Sequence, residues 1–144
     1  MAARARGLAD TGALLALVHR EDAWHRPCAE AFASLRLPLA TSAAALAELF
    51  HMVGDDRRAV TAAWRIVRSG ALVVFPVEDQ DLPALEALMK KYAGRPMDFA
   101  DATLVHMAER ESLTTVFTID HDDFEAYRIG GRRRFRIAPE RRAP

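Results

Sequence analysis

Two short β-branched runs constrain this chain most. ALVVFPV at 71–77 and TTVFTI at 114–119 have strand length and composition, and helix-period apolar spacing fills the chain before and between them. Short strands alternating with helices within 144 residues predict one α/β domain, 1–144, built on a short, mostly parallel sheet. The near-continuous apolar run at 71–77 predicts a strand covered on both faces. Leu8-Ala9-Asp10 reads as the end of a first strand with a turn at Thr11-Gly12, Pro38-Leu39-Ala40 as an edge strand, and Phe135-Arg136-Ile137 as a last short strand. Residues 1–6 and 139–144 are expected to be flexible ends.

The helices are read from spacing and caps. One follows Gly12 through Leu14, Leu15, Leu17 and Val18; a second covers Asp22–Leu35. Thr41-Ser42 is placed to cap a helix carrying Leu46, Leu49, Phe50 and Val53, which Gly54 stops. Asp55 or Asp56 opens the next helix, which runs to Ser69-Gly70. Helices are also expected over Glu78–Tyr92 and Asp98–Arg110, with an irregular chain after Asp120. No repeat or low-complexity linker marks a second domain.

Formal net charge is zero, so a polyanionic ligand must be held by local patches rather than by overall attraction. Cys28 is the only cysteine, which leaves neither an internal disulfide nor a cysteine zinc site. The histidines, His19, His25, His51, His106 and His121, lack paired ligand spacing. His121 is expected on a surface turn, and Trp24 and Trp64 in a core or interface. With no run long enough to span a membrane, a cytoplasmic protein is expected.

The acids carry the functional signal. Ligands of open α/β sheets bind outside the carboxyl ends of the strands, and Asp10 and Asp120 sit at two such ends. Asp101 continues the stripe of Leu104, Val105 and Ala108 that should face the core. A carboxylate there must be paired, protonated or metal-bound. Asp98 is placed as the N-cap of that helix. Glu48, roughly opposite its helix's apolar stripe, reads alone as a surface residue, and Asp120, Asp122 and Asp123 as an acidic turn. Brought together, such acids raise one another's pKa, and a hard divalent cation resolves the repulsion.

Four segments, LADTGALLAL (8–17), TSAAALAEL (41–49), PMDFADATLVHMAE (96–109) and FTIDHDDF (117–124), occur in an order and with gaps that resemble the PIN domain family, including VapC-type toxins. The resemblance implies a three-layer α/β/α sandwich. It implies a Mg²⁺- or Mn²⁺-dependent endoribonuclease leaving a 5′-phosphate and a 3′-hydroxyl. Position by position it implies that Asp10, Glu48, Asp101 and Asp120 hold the metal, with Asp98 competing with Asp101 for the third place. Asp123, Thr11 and Thr118 match auxiliary positions. It further implies a homodimer and, for a toxin, an antitoxin partner. Strand one is less β-branched than is usual in the family.

RNA phosphates are expected at Lys90, Lys91 and Arg95 and at the arginine run Arg132, Arg133 and Arg134. Two other functions were open to the sequence. Asp10-Thr11-Gly12 spells the aspartic-protease triplet, yet here it opens a helix rather than entering a β-rich fold. A non-cleaving PIN-like binding module is the other.

Overall fold

A computed structural model of the chain describes residues 4–95 and 97–141. Strands β1 (Gly7–Ala9), β2 (Leu39–Ser42), β3 (Leu72–Phe75), β4 (Thr115–Phe117) and β5 (Arg136–Ala138) form one sheet in the order β3-β2-β1-β4-β5. Every pairing is parallel, with Leu8 opposite Ala40 on one side and Val116 on the other. The helices are α1 (Thr11–Val18), α2 (His25–Ser34), α3 (Ala43–Val53), α4 (Arg57–Arg68), α5 (Leu82–Lys91), α6 (Phe99–Glu111) and α7 (His121–Ala126).

Strand alternation divides the interior into two layers. Leu8, Ala40 and Val116 point to a core with residues of α5, α6 and α7. Their neighbours Ala9, Leu39 and Phe117 point to the opposite core with α1, α3 and α4. The expected α/β/α sandwich is therefore present. The modest β-propensity of strand one follows from its place at the sheet's centre. A Cβ on Gly7 would come within 2.9 Å of the Thr115 carbonyl oxygen and 3.2 Å of Leu39, so the close approach of β4 and β2 excludes a branched side chain there.

Several local readings are corrected. Thr11-Gly12 is the first turn of α1, with Asp10 as its N-cap. The strand expected at an edge, β2, lies inside the sheet, while the apolar run of β3 is at the edge and leaves Val74 40% exposed. Asp79–Asp81 is a 3₁₀ turn that precedes α5. The segment after Asp120 is helical, because Asp120 leads straight into α7. Of the ends expected to be flexible, 1–3 and 142–144 lie outside the described residues. Ala5 is buried and the Arg6 N–H donates to the Pro38 carbonyl at 2.8 Å. No helix among the described residues is long and apolar enough to cross a membrane.

An acidic cleft at the carboxyl edge of the sheet

The connections from strand to helix place the acids. Asp10 is the single residue between β1 and α1. Ser42 ends β2 and caps α3 by accepting from the Ala45 N–H at 3.1 Å, so α3 starts at the same edge and carries Glu48 a little over one turn on. Asp98 caps α6 by accepting from the Asp101 N–H at 2.8 Å. Thr103 on α6 donates to Ser42 Oγ at 2.8 Å, which ties the helix bearing Asp101 to the start of the helix bearing Glu48.

Asp10, Glu48, Asp98, Asp101, Asp120 and Asp123 line one cleft of about 450 Å³ with Thr11, Gly12, Met52 and Ile119. The carboxylates predicted from separate stretches of sequence are thus neighbours, and Asp98 is both a cap and a wall of the cleft. Among the described residues of the lining there is no lysine or arginine. Arg95 stands outside and pairs with Asp123 at 3.0 Å.

Neutral donors set the orientation of the inner acids. One Asp10 oxygen accepts from the Thr11 N–H and the other from Thr118 Oγ1, each at 2.8 Å. Thr118 Oγ1 in turn accepts from the Asp120 N–H at 3.0 Å. Thr11 Oγ1 bonds the Ala45 carbonyl at 3.0 Å and lies 3.4 Å from Glu48 Oε2. Each carboxylate oxygen engaged by one donor keeps a further lone-pair direction for a ligand. Tyr127, fully buried against Tyr92 and Phe124, donates to Asp101 Oδ2 at 3.1 Å. The sequence held no signal for this partner, because Tyr127 lies beyond the acidic motif and only the shared core brings it to Asp101. His121, expected on a surface turn, is buried, and its ring sits 5.4 Å from that of Trp24, which packs against the core as expected.

The electrostatic result is a site that resists full ionisation. Burial, then the charges of Asp98 and Glu48 against the neutral donors, pushes Asp10 up to about 6. Burial followed by the charges of Asp10 and Asp98 pushes Asp101 up to about 8, against the opposing Tyr127 hydroxyl. Asp120 rises to about 7 through burial first and its contact with Asp123 second. Glu48 is also raised, by burial and then by Asp98.

Six oxygen-donor residues with no cation in the lining suit a hard divalent ion in kind. Among the described residues, however, no three Asp, Glu, His or Cys side chains already stand in a ligating arrangement.

The PIN domain family model matches residues 8–130, from within β1 past β4, and takes in the whole acidic cleft. The chain belongs to the PIN domain family. Ribonuclease VapC26 of Mycobacterium tuberculosis is 29% identical to it over 140 residues, 90% of this chain and 98% of that protein. Among solved structures, M. tuberculosis VapC20, a sarcin-ricin loop cleaving toxin, superposes with a TM-score of 0.71 at 23% identity, over 80% of this PIN domain chain and 90% of VapC20. A toxin-antitoxin complex from Klebsiella pneumoniae gives 0.63 at 18% identity, over 83% and 91%. At those identities the two structures establish the PIN fold.

The basic residues are dispersed. Lys90 pairs with Glu86 at 3.8 Å, and Lys91 lies 5.5 Å from the centre of the Tyr92 ring. Arg132 and Arg133 line a separate hollow with Ala108, Glu109 and Ser112, toward the far end of α6 from Asp101. The arginine run therefore does not rim the acids, contrary to expectation. Its turn is fixed instead by Gly130 and Gly131, both at positive φ, beside Glu109 and Lys91.

Proposed function

We propose that this PIN domain is a divalent-metal-dependent endoribonuclease and the toxin of a toxin-antitoxin pair. The observation that carries the reading is the cleft itself: four acids from four parts of the chain, with raised pKa values and no compensating cation in the lining. The relatedness to Ribonuclease VapC26 over nearly the full length of both proteins supports RNA as substrate. The structural likeness to a toxin-antitoxin complex supports an antitoxin partner, and a cytoplasmic location suits both.

In this reading Asp10, Glu48, Asp101 and Asp120 hold Mg²⁺ or Mn²⁺. The ion, when bound, supplies activation of water and stabilisation of charge on the phosphate. The chain's own groups orient. Thr118 and the Thr11 N–H fix the Asp10 carboxylate, Thr11 steers Glu48, and Tyr127 fixes Asp101. Met52 and Ile119 add apolar walls that narrow the cleft. Water oxygen bonds to phosphorus, the P–O3′ bond breaks, and O3′ leaves as a hydroxyl. Asp123, paired with Arg95, is an auxiliary acid rather than a ligand.

Incubating the purified protein with single-stranded and hairpin RNA, in chelator and in Mg²⁺ or Mn²⁺, tests the reading. Cleavage only with metal, giving 5′-phosphate ends, is the expected result. Binding of RNA without cleavage in any metal would favour the non-cleaving module.

The homodimer is a second part of the proposal. Leu82, Met89 and Phe99, between 37% and 47% exposed, surround an apolar groove of about 830 Å³ where α5 meets the start of α6. Apolar exposure concentrated in one groove marks an interface more often than scattered exposure does. Light scattering at micromolar concentration is expected to give twice the chain mass, and Met89→Glu to halve it.

A further inference from the structure

An acidic cleft cannot by itself hold a polyanion, and most of the cations expected near it are engaged elsewhere or remote. Another surface carries unengaged guanidinium groups. Arg20, just after α1, and Arg57, Arg58 and Arg65 of α4 line a cleft of about 670 Å³ in which Glu21 is the one acid of the lining. Among the described residues none of these four side chains forms an ion pair or donates a hydrogen bond. Arg57, Thr61 and Arg65 follow one another at i, i+4 and i+8, so one face of α4 presents them together. In a chain of zero net charge this is a concentrated positive patch.

One helix joins the two clefts. Thr11 and Gly12, in the first turn of α1, line the acids; Val18, its last residue, lines the arginines. Six residues of helix rise separate Gly12 from Val18, about 9 Å. That is about three nucleotides at the roughly 3.4 Å spacing of a stacked strand. The chain also links the two clefts through the connection from α3 to α4. Met52 of α3 lines the acidic cleft, and Arg57 and Arg58 follow it directly across the Gly54 turn.

We propose that the arginine cleft between the end of α1 and α4 binds backbone phosphates of the RNA strand whose scissile bond lies in the acidic cleft. The inference rests on the ribonuclease reading above. Guanidinium groups suit phosphate because their planar fork donates two parallel hydrogen bonds and stays charged. An acidic protein segment would meet the same charges. The short separation favours the substrate, since the two ends of α1 that line the two clefts lie only about 9 Å apart along the helix.

The test uses two variants of the full chain, Arg57→Ala/Arg58→Ala and Arg65→Ala, all at exposed positions that leave the core untouched. Binding of a fluorescent single-stranded RNA that spans both clefts is followed in chelator across a salt series. The double variant is expected to bind about tenfold more weakly, and its slope of log affinity against log salt to fall by about 1.4, two phosphate contacts' worth. Arg65→Ala should lose about half of that slope. Cleavage of a dinucleotide, too short to span both clefts, should match wild type, as should kcat on the long RNA at saturation. Affinity and slope equal to wild type in both variants, while wild type binds and cleaves, overturn the arginine cleft alone. Loss of a polyglutamate probe without loss of RNA also overturns it and makes the cleft a protein-docking surface. Wild type that binds no RNA overturns both readings.

Discussion

Asp101→Asn is expected to reduce metal-dependent RNA cleavage by at least about a hundredfold, the scale of losing an oriented charged group in an electrostatically organised site. Asp101 is buried on the first turn of α6, and Tyr127 holds one of its oxygens at 3.1 Å. The amide can keep that hydrogen bond through its oxygen and nearly preserves the side chain's shape. It cannot keep the negative charge that would bind a divalent ion. Initial rates with Mg²⁺ or Mn²⁺, on protein shown to be folded by circular dichroism, measure the loss. Full activity in a folded Asp101→Asn protein would remove Asp101 from the site and leave it as an early-turn acid. Asp98→Asn is the natural control. Its Oδ1 caps α6, and an asparagine oxygen caps nearly as well. A larger loss there than at Asp101 would give Asp98 the third ligand position.

The same substitution is expected to stabilise the protein without metal and to destabilise it with metal. The raised values of Asp10, Asp101 and Asp120, about 6, 8 and 7, mean that the folded state binds more protons than the unfolded state. Stability therefore falls as pH rises from the ordinary carboxylate range near 4 through those folded-state values. Asp101→Asn removes one member of the repelling set. In chelator near neutral pH the gain should be about 1–2 kcal/mol, because Asp101 also gives up a favourable position in the first turn of a helix. For a domain of this size that is a melting temperature higher by about 3–8 °C. The gap between variant and wild type should be smallest near pH 4 and widen toward pH 8. Saturating metal should reverse the order, since a ligand at a hundred times its dissociation constant stabilises the native state by about 2.7 kcal/mol. Melting both proteins with chelator and with metal, across pH, reads all of this. Wild type more stable in chelator, with no gain from metal, would make the acids structural.

The fold class was legible because it depends on local periodicity. The runs at 71–77 and 114–119 and the apolar stripes of α1, α3 and α6 each repeat with the period of the element they form. The N-caps at Ser42, Asp56 and Asp98 were equally local, since a cap bonds only its own first turn. What failed was position within the sheet. The apolarity of β3 suggested a covered strand and the brevity of β2 an edge, and the sheet order reverses both. Strand order is settled by which helices pack on which face, and composition does not encode it directly.

The candidate site divides along the same line. The sequence by itself determined which acids could matter, since Asp10 and Asp120 must fall at strand ends and Asp101 on a stripe that faces inward. Only the tertiary structure decided that Glu48 and Asp98 share a cleft with them, that Tyr127 reaches Asp101, that Arg132 and Arg133 lie elsewhere, and that unengaged arginines gather at the other end of α1. The physical reason is range. Periodicity, capping and burial act within a few residues of chain, whereas a pocket's charge balance is summed over side chains that only the packed sheet brings together.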